Sequence, residues 1–226
     1  MKKYNILLVE DEITLSKIMK YDFESSGFDV TLVHDGEKAY ETLKKNTFDA
    51  LLVDWMIPKL SGVELIKRIR DEGMNIFVVM ITAKNTEIDL LDGLTAGADL
   101  YIKKPFSNRE LVLQLKGMLS RFAAPNQKKK IESEDIMLDL STMKAFIHDK
   151  EVYLSKMEFN LLKLLMTQIS KVYTRDELLN LLWGQEFDGV SRVVDSHIHN
   201  LKQKIKPSAF EIRSSRGIGY ALVPKK

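Results

Sequence analysis

Phe48-Asp49-Ala50-Leu51-Leu52-Val53-Asp54-Trp55-Met56-Ile57-Pro58 is the stretch on which the fold of the first half turns. A short apolar run bounded by polar residues and Pro reads as a buried strand. Asp54 then stands at the C-terminal tip of that strand, where open α/β sheets place their ligands. Ile6-Leu7-Leu8-Val9 is a second such run, and it ends on Glu10 and Asp11. If the two strands are neighbours, three carboxylates converge. Like charges that close repel and need a cation or a function to hold them together.

Outward from these runs, the first half alternates strand and helix. Tyr4–Val9, Phe28–Val33, Phe48–Val53, Ile76–Thr82 and Leu100–Ile102 have strand character. One helix begins near Glu12 and stops at Ser25-Ser26-Gly27, and another runs from Glu37 to Lys45. Ser107-Asn108-Arg109-Glu110 is a capping box opening the last one. Five strands alternating with five helices predict a doubly wound α/β domain, its parallel sheet covered on both faces. This domain spans 1–121. Residues 122–130 are polar, contain Pro125 and end in three lysines, which reads as a linker.

In 131–226 the period changes. Short strands (Ile136–Leu140, Ala145–Ile147, Val152–Leu154) precede helices near Lys156–Gln168, Arg175–Trp183 and Ser191–Lys206. Phe210–Ser214 and Gly219–Val223 then flank Ser215-Arg216-Gly217-Ile218 as a hairpin. The second domain is therefore α+β.

Composition bounds the function. The chain has 226 residues and is 45% hydrophobic, enough for two packed domains and too apolar for global disorder. With no cysteine, disulfides, thiolate metal sites and Cys nucleophiles are excluded, and a reducing compartment fits. The apolar run after the basic start is too short for a signal peptide, and no stretch could span a membrane. A cytoplasmic protein is expected. The net charge of +2 is uneven: from Arg192 onward there are 8 basic and 2 acidic residues. Such a stripe suits a polyanion, although a solvated face gives the same count.

Glu10, Asp11, Asp54, Thr82 and Lys104 all fall at strand ends. Carboxylates with water make an octahedral, oxygen-rich Mg²⁺ site, and a hydroxyl and an ammonium opposite can hold an anion. The set suits a phosphoryl group attached to one carboxylate. Val9-Glu10-Asp11-Glu12, Asp54-Trp55-Met56-Ile57-Pro58, Thr82-Ala83 and Lys104-Pro105-Phe106 resemble the receiver domain of two-component response regulators, a flavodoxin-like fold. The resemblance implies that Asp54 accepts phosphate from a sensor histidine kinase. It implies Mg²⁺ held by Asp11, Asp54 and the Met56 backbone carbonyl, with Glu10 acting through water. Thr82 and Lys104 would grip the phosphate oxygens, and Tyr101 matches the aromatic that swings inward when Thr82 moves. Beyond transfer onto itself such a protein is not an enzyme. The aspartyl-phosphate phosphatases and mutases carry a second acid two residues after the nucleophile, where Met56 stands here.

In Ser191–Lys206, Val194, Ile198, Leu201 and Ile205 recur at steps of four, three and four and form a buried stripe. Ser196, His199, Asn200 and Gln203 fall on another face and suit base edges, with Arg192, Lys202, Lys204 and Lys206 near enough for phosphates. An ordinary amphipathic helix reads the same way. Leu154-Ser155-Lys156-Met157-Glu158-Phe159, Leu181-Leu182-Trp183-Gly184, Arg192-Val193-Val194-Asp195-Ser196-His197-Ile198 and Arg216-Gly217-Ile218-Gly219-Tyr220 resemble the winged helix-turn-helix DNA-binding domain of the OmpR/PhoB subfamily. This implies a third helix in the major groove of promoter DNA, with His197 added to its contacts. It implies a wing bearing Arg213, Ser214 and Arg216. The Trp183–Val190 loop, with Glu186 and Asp188, matches the loop that can touch RNA polymerase.

Two departures from that pattern stand out. The subfamily usually has Arg where Asn200 stands and often Arg where His199 stands, so adenine is favoured over guanine opposite Asn200. The subfamily's homodimer pairs charges across its fourth helix, fifth strand and fifth helix. Here Leu90 stands opposite Glu110, Leu100 opposite Gln114 and Asp99 opposite Met118, with Leu94 on the same face. The expected dimer face is thus more apolar, and association independent of phosphorylation is an alternative reading.

Overall fold

The computed structural model describes residues 3–83, 93, 96–123, 130–184, 192–215 and 217–225. The chain divides into two compact units, Met1–Lys116 and Gly117–Lys226.

In the first unit the strands are β1 (Tyr4–Val9), β2 (Phe28–Val33), β3 (Ala50–Asp54), β4 (Phe77–Thr82) and β5 (Leu100–Lys103). They form one parallel sheet in the order β2-β1-β3-β4-β5. Every residue of β3 and β4 is buried, as both-face coverage of a central parallel strand requires. Helices α1 (Ile13–Ser25), α2 (Gly36–Lys45) and α3 (Gly62–Asp71) supply part of that cover, each through a periodic stripe. In α1 the stripe is Ser16, Met19 and Phe23. In α3 it is Leu65, Ile66 and Ile69, behind a reciprocal Ser61/Glu64 capping box. Of the expected helix around Leu90 and Leu94, Gly93 is helical, while Leu90 and Leu94 themselves lie outside the described residues.

Sheet register positions the site. Val9 is opposite Val53, so Glu10 and Asp54 end neighbouring strands. Asp54 is opposite Ile81, one residue before Thr82, and Thr82 is opposite Lys103, one residue before Lys104. The sheet order turns back between β1 and β3, the switch point at which such sheets bind ligands. Gly62 locks the Asp54 end of β3. Its amide donates to the Trp55 carbonyl at 3.0 Å. A Cβ there would stand 2.3 Å from the Asp54 carbonyl oxygen, so a side chain at 62 would displace the strand tip.

The boundary expected at 121 falls inside a helix. α4 (Asn108–Ala123) runs through it, and its apolar stripe of Leu111, Leu115, Met118 and Leu119 continues at helical steps across the division between units. Of the expected linker, Phe122 and Ala123 are helical, 124–129 lie outside the described residues, and Lys130 opens a strand.

The second unit begins with an antiparallel sheet in the order β6-β7-β8-β9. Its strands are β6 (Lys130–Ser133), β7 (Ile136–Asp139), β8 (Lys144–Ile147) and β9 (Lys150–Val152). Then follow α5 (Lys156–Thr167), β10 (Tyr173–Thr174), α6 (Arg175–Leu182), α7 (Arg192–Lys204), β11 (Phe210–Ser215) and β12 (Gly219–Pro224). β11 and β12 make the hairpin, and β10 adds on the other side of β12. Leu161, Leu162 and Leu165 of α5, Leu178 of α6 and Val194, Ile198 and Leu201 of α7 are all buried, a three-helix core framed by two sheets.

Candidate functional site

Glu10 is 2% exposed and Asp54 6%, whereas Asp11 faces solvent. Carboxylate oxygens of the three lie within 4.8 Å of one another. The Lys104 ammonium reaches both buried acids, donating to Glu10 Oε2 at 2.8 Å and to Asp54 Oδ2. Asp54 Oδ1 accepts from the Met56 amide at 2.9 Å. The Met56 side chain lies in solvent at the mouth of the site. Burial pushes the Glu10 carboxyl up, the Lys104 hydrogen bond opposes this, and the Asp54 charge adds to it. Burial alone would lower Lys104, but its hydrogen bonds to Asp54 and Glu10 outweigh it and hold the ammonium above the usual lysine value. Three acids facing one cation leave negative charge in a half-closed site. A hard cation would neutralise it, and the all-oxygen donor set, open on the Asp11 side, fits one that keeps several waters.

Thr82 is fully buried at the end of β4. Its carbonyl accepts from the Lys104 amide at 2.8 Å, which ties the two residues through their backbones. Tyr101 is half-buried and packs on the core beside Trp55 and Met80. Five strand-tip residues expected to converge are therefore carried by adjacent strands of one sheet edge.

The expected dimer face is corrected. Asp99 is 0% exposed. It accepts from Arg70 Nη2 and from the Val78 amide, each at 2.8 Å. Leu100 is also 0% exposed, because strand parity sets it on the face of Val79, opposite to Met80 and Tyr101. Met118 is 1% exposed, on the buried stripe of α4. Glu110 is exposed and Gln114 half-buried, while Leu90 and Leu94 lie outside the described residues.

In the second unit, His199 and Gln203 project from α7 into solvent and Asn200 is half-buried. Ser196 and His197 are corrected from the exposed to the buried side. His197 is 0% exposed, its ring 5.5 Å from that of Trp183, and Ser196 is 6% exposed. The buried arc of α7 is wider than four aliphatic residues suggest, since Val193 and His197 join it. Lys204 is committed elsewhere, in an ion pair of 2.6 Å with the buried Glu158 of α5. Lys202 Nζ donates to Ser214 Oγ at 2.9 Å, joining α7 to the hairpin. Arg213 is exposed and paired with Glu211 at 2.8 Å. Arg216, residues 185–190 of the expected Trp183–Val190 loop with Glu186 and Asp188, and the Arg192 side chain lie outside the described residues. The sequence reading missed Arg175, Asp195 and Tyr220, which meet beside α7. Its only signal for them was Asp195, an acid in a basic stretch.

A doubly wound sheet tipped with carboxylates, followed in the chain by a unit that sets helix α7 beside a hairpin, is the architecture of a regulator with a receiver and a DNA-binding half. Comparison with known proteins places it further. Residues 6–116 match the response regulator receiver domain, and residues 149–222 match the C-terminal domain of transcriptional regulatory proteins. The chain is 36% identical over 233 residues to the alkaline phosphatase synthesis transcriptional regulatory protein PhoP of Bacillus subtilis (strain 168), covering 98% of this chain and 97% of that protein. It is 35% identical over 219 residues to the phosphate regulon transcriptional regulatory protein PhoB of Escherichia coli (strain K12), covering 95% and 96%. Among solved structures it is similar to the response regulator DrrB, a Thermotoga maritima OmpR/PhoB homologue. There the TM-score is 0.53 at 27% identity, over 98% of this chain and all of that one. The chain belongs to the OmpR/PhoB-type response regulators of two-component systems.

Proposed function

We propose that a sensor histidine kinase phosphorylates Asp54 and that the phosphorylated protein binds promoter DNA as a dimer. The supporting observation is the site itself: Asp54 stands among Glu10, Asp11 and Lys104, with carboxylate oxygens of the three acids within 4.8 Å of one another. An Asp54 carboxylate oxygen bonds to phosphorus as the phosphorus–nitrogen bond to the kinase histidine breaks. The bonding pair leaves on nitrogen, which takes a proton from solvent. Lys104 already holds Asp54 and stays in reach of the phosphoryl oxygens. Asp11, Asp54 and the Met56 carbonyl, with Glu10 through water, would hold a Mg²⁺ ion, which would supply further charge neutralisation. Thr82 takes a phosphoryl oxygen, and Tyr101 follows it.

The receiver turns over no other substrate. The working place is the cytoplasm, where kinase domain, DNA and RNA polymerase meet, the last through the Trp183–Val190 segment. None of the described helices is long and apolar enough to cross a membrane. Radiolabelled acetyl phosphate with Mg²⁺ tests the reading. Label is expected on the unsubstituted chain, lost with Asp54→Asn and lost on chelation. Label surviving Asp54→Asn would place the acceptor elsewhere.

A further inference from the structure

Asp195 is one of only 2 acids among the residues from Arg192 to the C-terminus, against 8 basic ones. It stands in the first turn of α7, the helix expected to lie against DNA. A carboxylate there repels phosphates, so its presence needs a cause.

Its surroundings provide one. Asp195 Oδ1 accepts from Arg175 Nε at 2.8 Å and from the Tyr220 hydroxyl at 2.5 Å. Arg175 Nη2 donates to the same hydroxyl oxygen at 3.1 Å. The three residues come from α7, the first turn of α6 and the start of β12. Burial and the Asp195 carboxylate push the Tyr220 phenol up to about 12, which keeps it a donor at neutral pH.

A second tie meets the first. Tyr220 is the cross-strand partner of Ser214, and Ser214 accepts from Lys202. Asp195 and Lys202 are seven residues apart, two helical turns on one face. α7 therefore holds both strands of the hairpin at a single rung. Lys202 and Arg175 also lie 5.6 Å and 5.1 Å from the centre of the Tyr220 ring. From the other side, β10 comes so close that a Cβ at Gly219 would stand 1.8 Å from the Tyr173 carbonyl oxygen. β12 is thus held on its other side, next to Tyr220, by β10.

We propose that Asp195, Arg175 and Tyr220 form a positioning clamp that presets the spacing between recognition helix and wing, so that both engage DNA together. This rests on the DNA-binding reading of the second unit. Asp195 and Tyr220 act as positioning residues, through the elements they hold.

The test opposes positioning to simple charge. The full chain first selects duplexes from a random-sequence pool. Binding is then measured by fluorescence anisotropy on the selected duplex and on a scrambled one of equal length. Simple charge predicts that Asp195→Asn binds both duplexes more tightly. The clamp predicts at least a tenfold loss on the selected duplex for Asp195→Asn and for Tyr220→Phe, with little change on the scrambled one. The double variant should be no worse than the weaker single, because the two residues act as one unit. Equal or tighter binding of the selected duplex by either variant would overturn the clamp. So would a parallel loss on both duplexes, which marks damage to the fold. If Asp195→Asn does not fold, Tyr220→Phe decides alone, since it keeps the ring and removes only the hydroxyl. A pool that yields no enriched duplex for the unsubstituted chain would overturn sequence-specific DNA binding and the clamp with it.

Discussion

Asp139 closes the turn between β7 and β8 by accepting from Ser141 Oγ at 2.6 Å, the Ser141 amide at 2.8 Å and the Thr142 amide at 3.1 Å. These bonds, the Ser141 hydroxyl foremost, stabilise the charged form and bring the carboxyl from 3.8 to about 2. A depressed acid adds stability that is complete above its unfolded value and is lost as pH falls through its folded one. The turn should therefore hold at pH 4 and above and weaken toward pH 2. Carboxyl-carbon NMR should find Asp139 titrating near 2, and Ser141→Ala should move it toward 3.8; an Asp139 that titrates normally in the intact chain would show that the turn is not closed. Legibility at this scale follows the source of each position. Glu10, Asp54, Thr82 and Lys104 were readable because a parallel sheet aligns strand ends, so four separate sequence positions become one place. Asp99 and Leu100 were not, because their fate depends on Arg70, some thirty residues away, and on strand parity. Arg70 spends its donors on the Gly97, Met74 and Ile76 carbonyls as well as on Asp99. Nothing local to Asp99 announces that partner.

Helix α7 shows the same limit one level up. Its aliphatic period gave the buried stripe, but the ring of Trp183 draws His197 inside as well. Strands β6 and β10 escaped notice for a different reason. β6 is an edge strand whose alternation is half-exposed, Lys130-Ile131-Glu132-Ser133, and β10 has only two residues. Neither has enough apolar signal of its own; pairing with β7 and β12 makes them strands. The packing of α7 on α5 yields a prediction. Glu158 serves two ends at once: it completes the Ser155 capping box and takes the Lys204 ammonium. With its side chain 2% exposed and that of Lys204 33%, the pair is buried on one side and wet on the other. Lys204→Met leaves a buried carboxylate without its cation. Complete burial would make that cost about 3–5 kcal/mol, and the exposure of Lys204 discounts it to about 2 kcal/mol. Glu158→Gln together with Lys204→Met should recover at least half of the loss in urea unfolding, because no charge is then stranded. Additive losses in the double variant would show that the pair is not coupled.

At the scale of the whole molecule, the proposed phosphorylation of Asp54 bears first on electrostatics. Phosphorylation adds a charge of about −1.5 to −2 to a half that already carries 17 basic and 19 acidic residues through Arg121. Added charge alone disfavours association, so the proposed dimer would have to arise from a change of surface. The sequence suggested a pre-existing apolar surface that would associate without phosphate. With Leu100 and Met118 buried and Asp99 held by Arg70, three of the residues on which that idea stood are withdrawn from solvent. Among the described residues of that face, little apolar surface is left to drive pairing, and on the proposed function phosphate would supply the difference. A shift from mostly one state to mostly the other takes about 5.5 kcal/mol of differential stabilisation. A partial shift of 1.4 kcal/mol is still a tenfold change in the dimer constant. Sedimentation of the full chain at micromolar concentration should therefore show a monomer alone. With beryllofluoride and Mg²⁺, the dimer constant should rise at least tenfold, and Asp54→Asn should abolish the rise. A dimer of equal strength in both states would instead make the protein a constitutive dimer and reduce Asp54 to a modulator of DNA affinity. Salt separates two origins of the rise: a dimer held by exposed ion pairs weakens between low and physiological ionic strength, and one held by newly exposed apolar surface does not. With Glu110 the exposed charge left on the described part of that face, a salt-insensitive dimer is the expected result.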